Sequence, residues 1–305
     1  MQSKKVSNNK TKRLLACIWR QKSKTPVCPE TPLLTNKIVV ITGGNRGIGL
    51  ETTKGLVKRG AEVIILSRNQ KIAHEVIKEL RSKVHFIKLD LADISSVNAT
   101  IGQLEKILAG RKIDILINNA GIAMREPYQA SPQGHELTFA VNVLGHHVLF
   151  KECHSKSLFN KSAQIIAITG DLYVQADDCT PDYTYKGNNG NAAYARSKLG
   201  VMWWAYELKR KHPNYKLNIV HPGAVLTELG GGAGPITKLI LGGITLNPVE
   251  GAQVSLICAT QADIVDGGYY HNTVGRVLLP KNDIAKDKNK AKEFWNTLES
   301  LCENK

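Results

Sequence analysis

Short apolar runs alternate with segments of helical periodicity along most of this chain of 305 residues. A run that is apolar throughout favours a strand buried on both faces, and such strands in alternation with helices are typical of a parallel sheet covered by helices. The sequence predicts strands at 38–41, 62–66, 84–89, 113–117, 165–168, 217–220 and 276–279. It predicts helices at 48–59, 70–81, 94–109, 134–155, 192–211 and 248–259, and an amphipathic helix within 281–305.

The alternation is continuous, without an internal repeat or a second core. We therefore predict an α/β fold: a doubly wound parallel sheet, Rossmann-like, in a single domain. Ligands of such folds bind in the crevice at the carboxyl ends of the strands. Residues with a chemical role are expected at that edge.

A glycine-rich stretch, Thr-Gly-Gly-Asn-Arg-Gly-Ile-Gly at 42–49, joins the first predicted strand to the first helix. Such a turn directs unpaired main-chain N–H groups and the positive end of a helix at one point, which suits a pyrophosphate. Glycine is needed where a side chain would block the phosphates. The spacing of Gly43, Gly47 and Gly49 differs from the commonest G-x-G-x-x-G fingerprint. The stretch predicts a dinucleotide site, with a tight turn that binds no ligand as the alternative.

The residues after the second predicted strand bear on the choice of coenzyme. A carboxylate at this place accepts hydrogen bonds from the ribose 2′-hydroxyl of NAD. This chain has Arg68 there instead, and Arg46 in the glycine turn. A guanidinium binds phosphate through two parallel hydrogen bonds, so the pair favours the 2′-phosphate and predicts NADP over NAD. The alternative is that both arginines are merely solvated.

The N-terminal region is strongly basic. The formal net charge is +15, and residues 1–36 contribute eight lysines and arginines against Glu30. This region also contains three prolines. We predict a basic, mostly disordered N-terminal extension at 1–35, followed by one domain at 36–305.

Three functional interpretations of the extension compete with a plain tail. Peripheral contact with an anionic membrane through Leu14, Leu15, Ile18 and Trp19 is one. An organelle presequence is the second, although the segment is richer in lysine than in arginine. Contact with nucleic acid is the third, and it is not expected.

Apolar runs and cysteine spacing constrain the cellular setting. No apolar run is long enough to span a bilayer. The six cysteines form no C-x-x-C pair and have no histidines at zinc spacing, so no metal site is predicted. Reduced thiols in an intracellular, cytoplasmic protein are the simplest interpretation.

Further polar motifs follow the predicted strands. Asp90 comes after the third strand, and Asn118-Asn119-Ala120-Gly121 after the fourth. The helix that follows contains Asn142. Tyr194-Ala-Arg-Ser-Lys198 lies in the helix after the fifth predicted strand, and His221-Pro222-Gly223 with Thr227 after the sixth.

In this order the motifs resemble those of the short-chain dehydrogenases/reductases over about residues 36 to 305. The phrases VNVLGHH, YARSKLG, HPGAVLTEL, NPVEGAQ and GGYYHN resemble most the branch that holds the retinol dehydrogenases. The resemblance implies hydride transfer between a nicotinamide and a carbonyl or alcohol. It also implies that Tyr194 is the general acid/base, that Lys198 lowers its pKa and holds the nicotinamide ribose, and that Asn142 positions a water that links Lys198 to solvent.

The chemistry of a tyrosine–lysine pair supports this assignment. Tyrosine is a poor base at its unperturbed pKa of about 10. A nearby cation favours the phenolate and lowers that value. Tyr194 and Lys198 are four residues apart, so one face of a helix presents both side chains.

The resemblance also carries over cofactor contacts residue by residue. The phosphates would meet Gly43, Arg46, Gly47, Ile48 and Gly49, and Arg68 the 2′-phosphate region. Asp90 would meet the adenine, Asn118 the adenosine ribose, and Pro222, Gly223 and Thr227 the nicotinamide amide. Asp90 and Asn118 have a second interpretation as residues that form turns at strand ends.

One departure from the family pattern concerns the serine expected after the fifth predicted strand, whose hydroxyl polarises the substrate oxygen. Here the stretch is Thr169-Gly170-Asp171. Counting from Asn142 puts Gly170 at the serine position, whereas matching a TGS turn puts Asp171 there. Thr169 or a protonated Asp171 could substitute, so Asp171 is a candidate catalytic residue. The alternative function is a catalytically impaired NADP-binding protein that acts through a partner.

Residues 229–246 lie where the family has its substrate loop, and they are apolar and rich in glycine. This composition favours a mobile segment over a small lipophilic carbonyl or alcohol, such as a retinoid, steroid or aldehyde, and a packed helix is the alternative. The NADP preference implies reduction of the carbonyl. A homodimer is compatible with the resemblance.

Overall fold

A computed structural model of the protein describes residues 3–18, 21–80, 83–123, 127–186, 190–225 and 245–303. Within these residues nine strands form one sheet in the order β1-β9-β8-β7-β6-β5-β2-β3-β4. All neighbouring strands are parallel except β8 and β9. The strands are β1 Ser3–Lys5, β2 Ile38–Thr42, β3 Glu62–Ser67, β4 Val84–Lys88, β5 Ile113–Asn118, β6 Phe159–Ile168, β7 Lys216–His221, β8 Gly268–His271 and β9 Gly275–Leu278.

Helices cover both faces of the sheet. They are α1 Lys10–Ile18, α2 Gln21–Lys24, α3 Gly47–Lys58, α4 Gln70–Leu80, α5 Ile94–Leu108, α6 Leu137–Phe139, α7 Gly145–Ser155, α8 Gly190–Lys211, α9 Pro248–Thr260 and α10 Lys288–Glu303. A π-helical turn, Ala140–Leu144, joins α6 to α7. None of the described helices has the length and apolarity needed to cross a bilayer.

The core lies in two layers on either side of the sheet. Successive residues of β2 point to opposite faces, so Ile38 and Val40 pack with α5, α7, α8 and α10, whereas Val39 and Ile41 pack with α3, α4 and α9. Every residue of β2 is buried. This double burial is why residues 38–41 are all apolar, and it confirms the predicted doubly wound parallel sheet.

The strand order reverses between β2 and β5, which are neighbours in space but not in sequence. In doubly wound sheets a crevice for the ligand lies at the carboxyl ends of the strands where the order reverses. The predicted motifs after β2, β5, β6 and β7 therefore lie at one edge.

Described residues of the N-terminal segment 1–35 make contacts with the rest of the chain. Ser3–Lys5 pair with β9 at the edge of the sheet. Arg13 is buried, and its guanidinium forms an ion pair with Asp283 and donates a hydrogen bond to the hydroxyl of Tyr173. Leu14, one of the candidate membrane-contacting residues, packs against the core, and Trp19 lies outside the described residues.

Candidate active site at the carboxyl edge of the sheet

The glycine turn after β2 is too tight for side chains at its critical positions. Gly43 has a φ of +65°, a conformation that favours glycine. A Cβ on Gly49 would lie 2.1 Å from the carbonyl oxygen of Gly43. Asn119 stabilises the turn from β5, since its Nδ2 donates to the carbonyl of Thr42 at 2.8 Å.

Helix α3 starts directly from this turn at Gly47. No side-chain hydrogen bond caps its N-terminus within the described residues, and its first turn carries no acidic residue. The N–H groups of the first turn and the positive end of the helix dipole therefore face the crevice. The turn fits a pyrophosphate, as the sequence predicts for Gly43, Gly47, Ile48 and Gly49.

Arg46 and Arg68 are both exposed at this end of the sheet. Asn45 connects the two segments that carry them, because its Nδ2 donates to the carbonyl of Asn69 at 3.3 Å. Asn45 is itself buried. The two guanidinium groups are thus carried by adjacent, hydrogen-bonded loops.

The surroundings of Asp90 match its second interpretation as a turn-forming residue, whereas the side chain of Asn118 forms no turn hydrogen bond to the part of the chain that the structure describes. Asp90 accepts the N–H of Ala92 through Oδ1 at 3.0 Å, as a turn-forming residue does. Asn118 is buried and borders a small internal cavity together with Asn142 and His146. Within the described residues neither polar side-chain atom of Asn118 has a hydrogen-bond partner.

Tyr194, Lys198 and Asn142 come together below the crevice. Lys198 Nζ lies 5.3 Å from the centre of the Tyr194 ring and donates to the carbonyl of Ile168 at 3.2 Å. A Cβ on Gly121 would lie 3.2 Å from Asn142 Oδ1 and 3.7 Å from Lys198 Nζ. The absence of a side chain at Gly121 therefore leaves open the space that these two groups share.

Asn142 is fixed by its own hydrogen bonds. Its Oδ1 accepts the N–H of Ile122 at 2.8 Å, and its Nδ2 donates to the carbonyl of Ile122 and to the hydroxyl of Ser197, both at 2.9 Å. It sits in the π-helical turn Ala140–Leu144, and such turns are frequent at functional sites.

The structure distinguishes Gly170 from Asp171 as the residue that faces the tyrosine. A Cβ on Gly170 would lie 3.5 Å from the Tyr194 hydroxyl oxygen. Of the two candidate serine positions, the one next to the tyrosine hydroxyl therefore carries no side chain. The hydroxyl of Thr169, the other candidate donor, is buried and donates to the carbonyl of Lys198 at 3.0 Å.

The Asp171 carboxylate is bound elsewhere, in a buried group with His221, Tyr269 and His271. The Tyr269 hydroxyl donates to Oδ1 at 2.7 Å. The Nε2 atoms of His271 and His221 lie 3.2 and 3.8 Å from Oδ2. Among the described residues, Asp171 and the two histidines have potential metal-ligand atoms within 4.8 Å of one another.

The hydrogen bonds of the two imidazoles argue against a metal ion in this group. Nδ1 of His221 accepts the N–H of Gly223 at 2.8 Å, and Nδ1 of His271 accepts the N–H of Thr273 at 3.0 Å. A neutral imidazole then carries its proton on Nε2, the atom that faces Asp171. Each Nε2 proton thus lies on the Asp171 side, although His271 Nε2 forms no hydrogen bond with the described residues, whereas a metal ligand at Nε2 would need the proton on Nδ1.

Burial sets the pKa values of the two central groups. It raises the pKa of Tyr194 to about 12 and lowers the pKa of Lys198 to about 8, because a low dielectric disfavours the charged form of each.

The segment after β7 lies beside these groups. Pro222 is buried, and Gly223 has a φ of +89°. Val225 forms an isolated bridge with Leu246. Thr227 and residues 229–244 of the predicted substrate loop lie outside the described residues.

Comparison with known protein families identifies the family to which this chain belongs. A family model described as short chain dehydrogenase matches residues 37–235. The chain belongs to this family. The dehydrogenase is accordingly an oxidoreductase that acts on CH–OH and C=O groups of a small-molecule substrate with a nicotinamide cofactor.

Curated relatives of the dehydrogenase include several retinol dehydrogenases. Retinol dehydrogenase 14 from Homo sapiens is 31% identical, covering 88% of this chain and 87% of the relative. Retinol dehydrogenase 12 from Mus musculus is 32% identical, with coverage of 88% and 87%. Polyprenol dehydrogenase from Homo sapiens is 30% identical, with coverage of 81% and 79%.

Solved structures share the fold. An uncharacterized protein from Mycobacterium paratuberculosis superposes with a TM-score of 0.73 at 24% identity, covering 92% of this chain and 98% of the other. A blue fluorescent protein from a metagenomic library, solved in complex with NADPH, gives 0.64 at 23% identity, covering 80% and 99%.

Several supporting residues have no motif in the sequence that would have identified them. Asn45 and Asn119 stabilise the glycine turn, and Ser197 holds Asn142. Gln21 binds the main chain of Ala224 from a segment outside the matched family region. His221 and His271 belong to the phrases HPG and GGYYHN, so the sequence carried a signal for them but not for their contact.

Proposed function

We propose that this dehydrogenase uses NADP to interconvert a lipophilic carbonyl and its alcohol, with Tyr194 as general acid/base. One observation carries the proposal: the Tyr194 hydroxyl lies next to Gly170, which has no side chain, and buried Lys198 is on the same helix face. A nicotinamide cofactor, when bound, supplies or accepts the hydride.

The chain's own residues perform the proton chemistry in this proposal. In reduction the Tyr194 hydroxyl donates its proton to the substrate oxygen, and in oxidation it removes the proton. The Lys198 ammonium stabilises the phenolate that results and binds the nicotinamide ribose. Asn142 holds a water in the space beside Gly121, so a proton can pass from solvent to Lys198. Tyr194, whose pKa is raised by burial, is a phenol at neutral pH and therefore carries the proton that reduction requires.

The preference for NADP rests on Arg46 and Arg68. Both are exposed, on loops that Asn45 and Asn69 connect. The residues that follow β3, Arg68 and Asn69, include no carboxylate that would accept hydrogen bonds from an unmodified ribose. Two guanidinium groups next to the pyrophosphate turn suit a 2′-phosphate.

The lipophilic substrate class rests on the relatives and on composition. The relatives are named for retinol and polyprenol. Residues 229–246 are apolar and glycine-rich, as expected of a segment that contacts a lipophilic substrate.

A kinetic comparison of Tyr194→Phe with the wild type tests the function. The assay follows NADPH consumption with a panel of lipophilic aldehydes and ketones that includes retinal, and NADPH binding is measured separately by fluorescence. We expect the variant to bind NADPH normally and to lose at least about a factor of 10² in turnover, since general acid catalysis contributes 10² to 10⁴. Tyr206→Phe, on the same helix, is the matched control and should keep full activity. A Tyr194→Phe variant with unchanged turnover would refute the assignment.

A further inference from the structure

The N-terminal segment lies outside residues 37–235, the region matched by the family, yet it contacts the predicted nicotinamide end of the site. Gln21, at the start of α2, is 1% exposed. Its Nε2 donates to the carbonyl of Ala224 at 3.1 Å, and its Oε1 accepts the N–H of the same residue at 3.1 Å. One side-chain amide thus pairs with both main-chain groups of Ala224.

Ala224 lies at a sensitive point of the chain. It follows Pro222 and Gly223, the residues expected to meet the nicotinamide amide, and its carbonyl also accepts the N–H of Leu246 at 2.9 Å. A Cβ on Gly223 would lie 3.2 Å from Gln21 Oε1 and 2.6 Å from Leu246 Cδ1. The position of Ala224 is therefore defined by Gln21 on one side and by Leu246 on the other.

A second contact connects the same segment to the end of β7. Thr25 donates its hydroxyl to the carbonyl of Gln21 at 2.9 Å and accepts from Asn272 Nδ2 at 3.2 Å. The main-chain N–H of Asn272 in turn donates to the carbonyl of His221 at 2.9 Å. The contacts of Gln21 and Thr25 thus reach the main chain on both sides of Pro222 and Gly223.

The segment is anchored on the domain at two further places. Arg13 forms a buried ion pair with Asp283, with 2.6 Å between Nη1 and Oδ2. The N–H of Cys28 donates to Gln253 Oε1 on α9 at 2.8 Å. Gln21 lies between these anchors in sequence, so its side chain is held against Ala224 and loses little further freedom when it forms the pair.

We propose that Gln21 is a positioning residue of the active site. By binding Ala224, it holds the main chain of residues 222–224 in the position that contact with the nicotinamide amide requires. This inference rests on the proposed NADP-dependent function. Gln21 acts through Ala224 and has no role at the adenosine end, which meets the glycine turn and Arg68. Removal of the Gln21 side chain therefore weakens the binding of the nicotinamide half of the coenzyme and leaves the binding of the adenosine half unchanged.

Binding of two probes to Gln21→Ala tests the proposal. NADPH reports the whole site, and adenosine 2′,5′-bisphosphate reports the adenosine end alone. We expect the Kd of NADPH to rise about tenfold, the factor that corresponds to loss of one or two neutral hydrogen bonds, while the Kd of the bisphosphate stays the same. The kcat with a fixed carbonyl substrate should also fall, because a misplaced nicotinamide lowers the rate of hydride transfer.

Two further variants sharpen the comparison. Gln253→Ala removes the anchor at Cys28 without touching Ala224, so the ratio of the two dissociation constants should equal that of the wild type. Gln21→Glu keeps an acceptor for the Ala224 N–H but loses the donor to its carbonyl, and it should give an intermediate ratio. Gln21→Glu also serves if Gln21→Ala does not fold.

The outcomes separate the two proposals. An unchanged ratio for both Gln21 variants, or an equal loss of affinity for both probes, would overturn the role of Gln21 and show a merely structural contact. A wild-type protein that binds the bisphosphate but not NADPH would instead overturn the proposed function.

Discussion

Substitution of Gly170 by serine should increase the reductase activity of this dehydrogenase. A Cβ at this position would lie 3.5 Å from the Tyr194 hydroxyl and 3.8 Å from Lys198 Cγ, both ordinary van der Waals distances. Gly170 has φ −157° and ψ 147°, an extended conformation that any residue adopts. A serine therefore fits without strain, and it places a hydroxyl beside that of Tyr194.

The expected increase in kcat is estimated from the contribution of one hydrogen-bond donor to an oxyanion. Loss of such a donor elsewhere costs about 10² to 10³ in kcat. We expect a smaller gain in kcat here, at least about tenfold, because the introduced serine has no neighbouring side chains adapted to fix its rotamer. The assay is the steady-state kcat for NADPH-dependent reduction of one aldehyde by wild type, Gly170→Ser and Gly170→Ala. The alanine variant adds the same Cβ without the hydroxyl, so a serine variant no faster than the alanine variant would refute the reasoning.

Three other expectations concern the coenzyme, the N-terminal segment and pH. Arg68→Asp should shift the ratio of KM values for NADP and NAD at least about tenfold towards NAD, since a carboxylate accepts from the ribose 2′-hydroxyl and repels the 2′-phosphate; an unchanged ratio would contradict the role of Arg68. Arg13→Met should lower the free energy of unfolding in urea by about 3–5 kcal/mol, because it leaves the buried Asp283 carboxylate without its ion-pair partner. The double variant Arg13→Met/Asp283→Asn should recover part of this loss, and a single-variant loss below about 1 kcal/mol would argue against the burial of the pair. Lys198, with its pKa lowered by burial to about 8, is an ammonium below that pH and neutral above it, so the reductive kcat/KM should fall as the pH rises through about 8. A profile that stays flat for about two pH units on either side would show that the charge of Lys198 is not required.

Much of the fold could be predicted because its central strands are buried on both faces. The run at 38–41, which is apolar throughout, is typical of such a strand. Strand β8, Gly268–His271, escaped because its two tyrosines are flanked by glycine and histidine and form no aliphatic run. Strand β1, Ser3–Lys5, could not be predicted at all, since its three polar residues join the sheet through main-chain hydrogen bonds to β9.

The sequence also predicts those parts of the site whose residues are close together in the chain, and not those that depend on distant segments. Tyr194 and Lys198 are four residues apart in one helix, so their proximity is a local property of the sequence. The meeting of Asp171 with His221 and His271 depends on the neighbouring positions of β6, β7 and β8, which no local pattern encodes. The sequence left Gly170 and Asp171 as alternatives because counting from Asn142 and matching a TGS turn give different positions. Their different surroundings, Tyr194 for Gly170 and Tyr269 with the histidines for Asp171, are visible only in three dimensions.

The pairing of β1 with β9 has a consequence for how this protein is made. Ser3 pairs with Arg276, and the Arg13–Asp283 bond spans 270 residues. On the ribosome the first strand has no edge to join until almost the whole domain has emerged. Final closure of the sheet is therefore a late, long-range step, of the kind that folds slowly. Until then the basic N-terminal residues are available to chaperones and proteases.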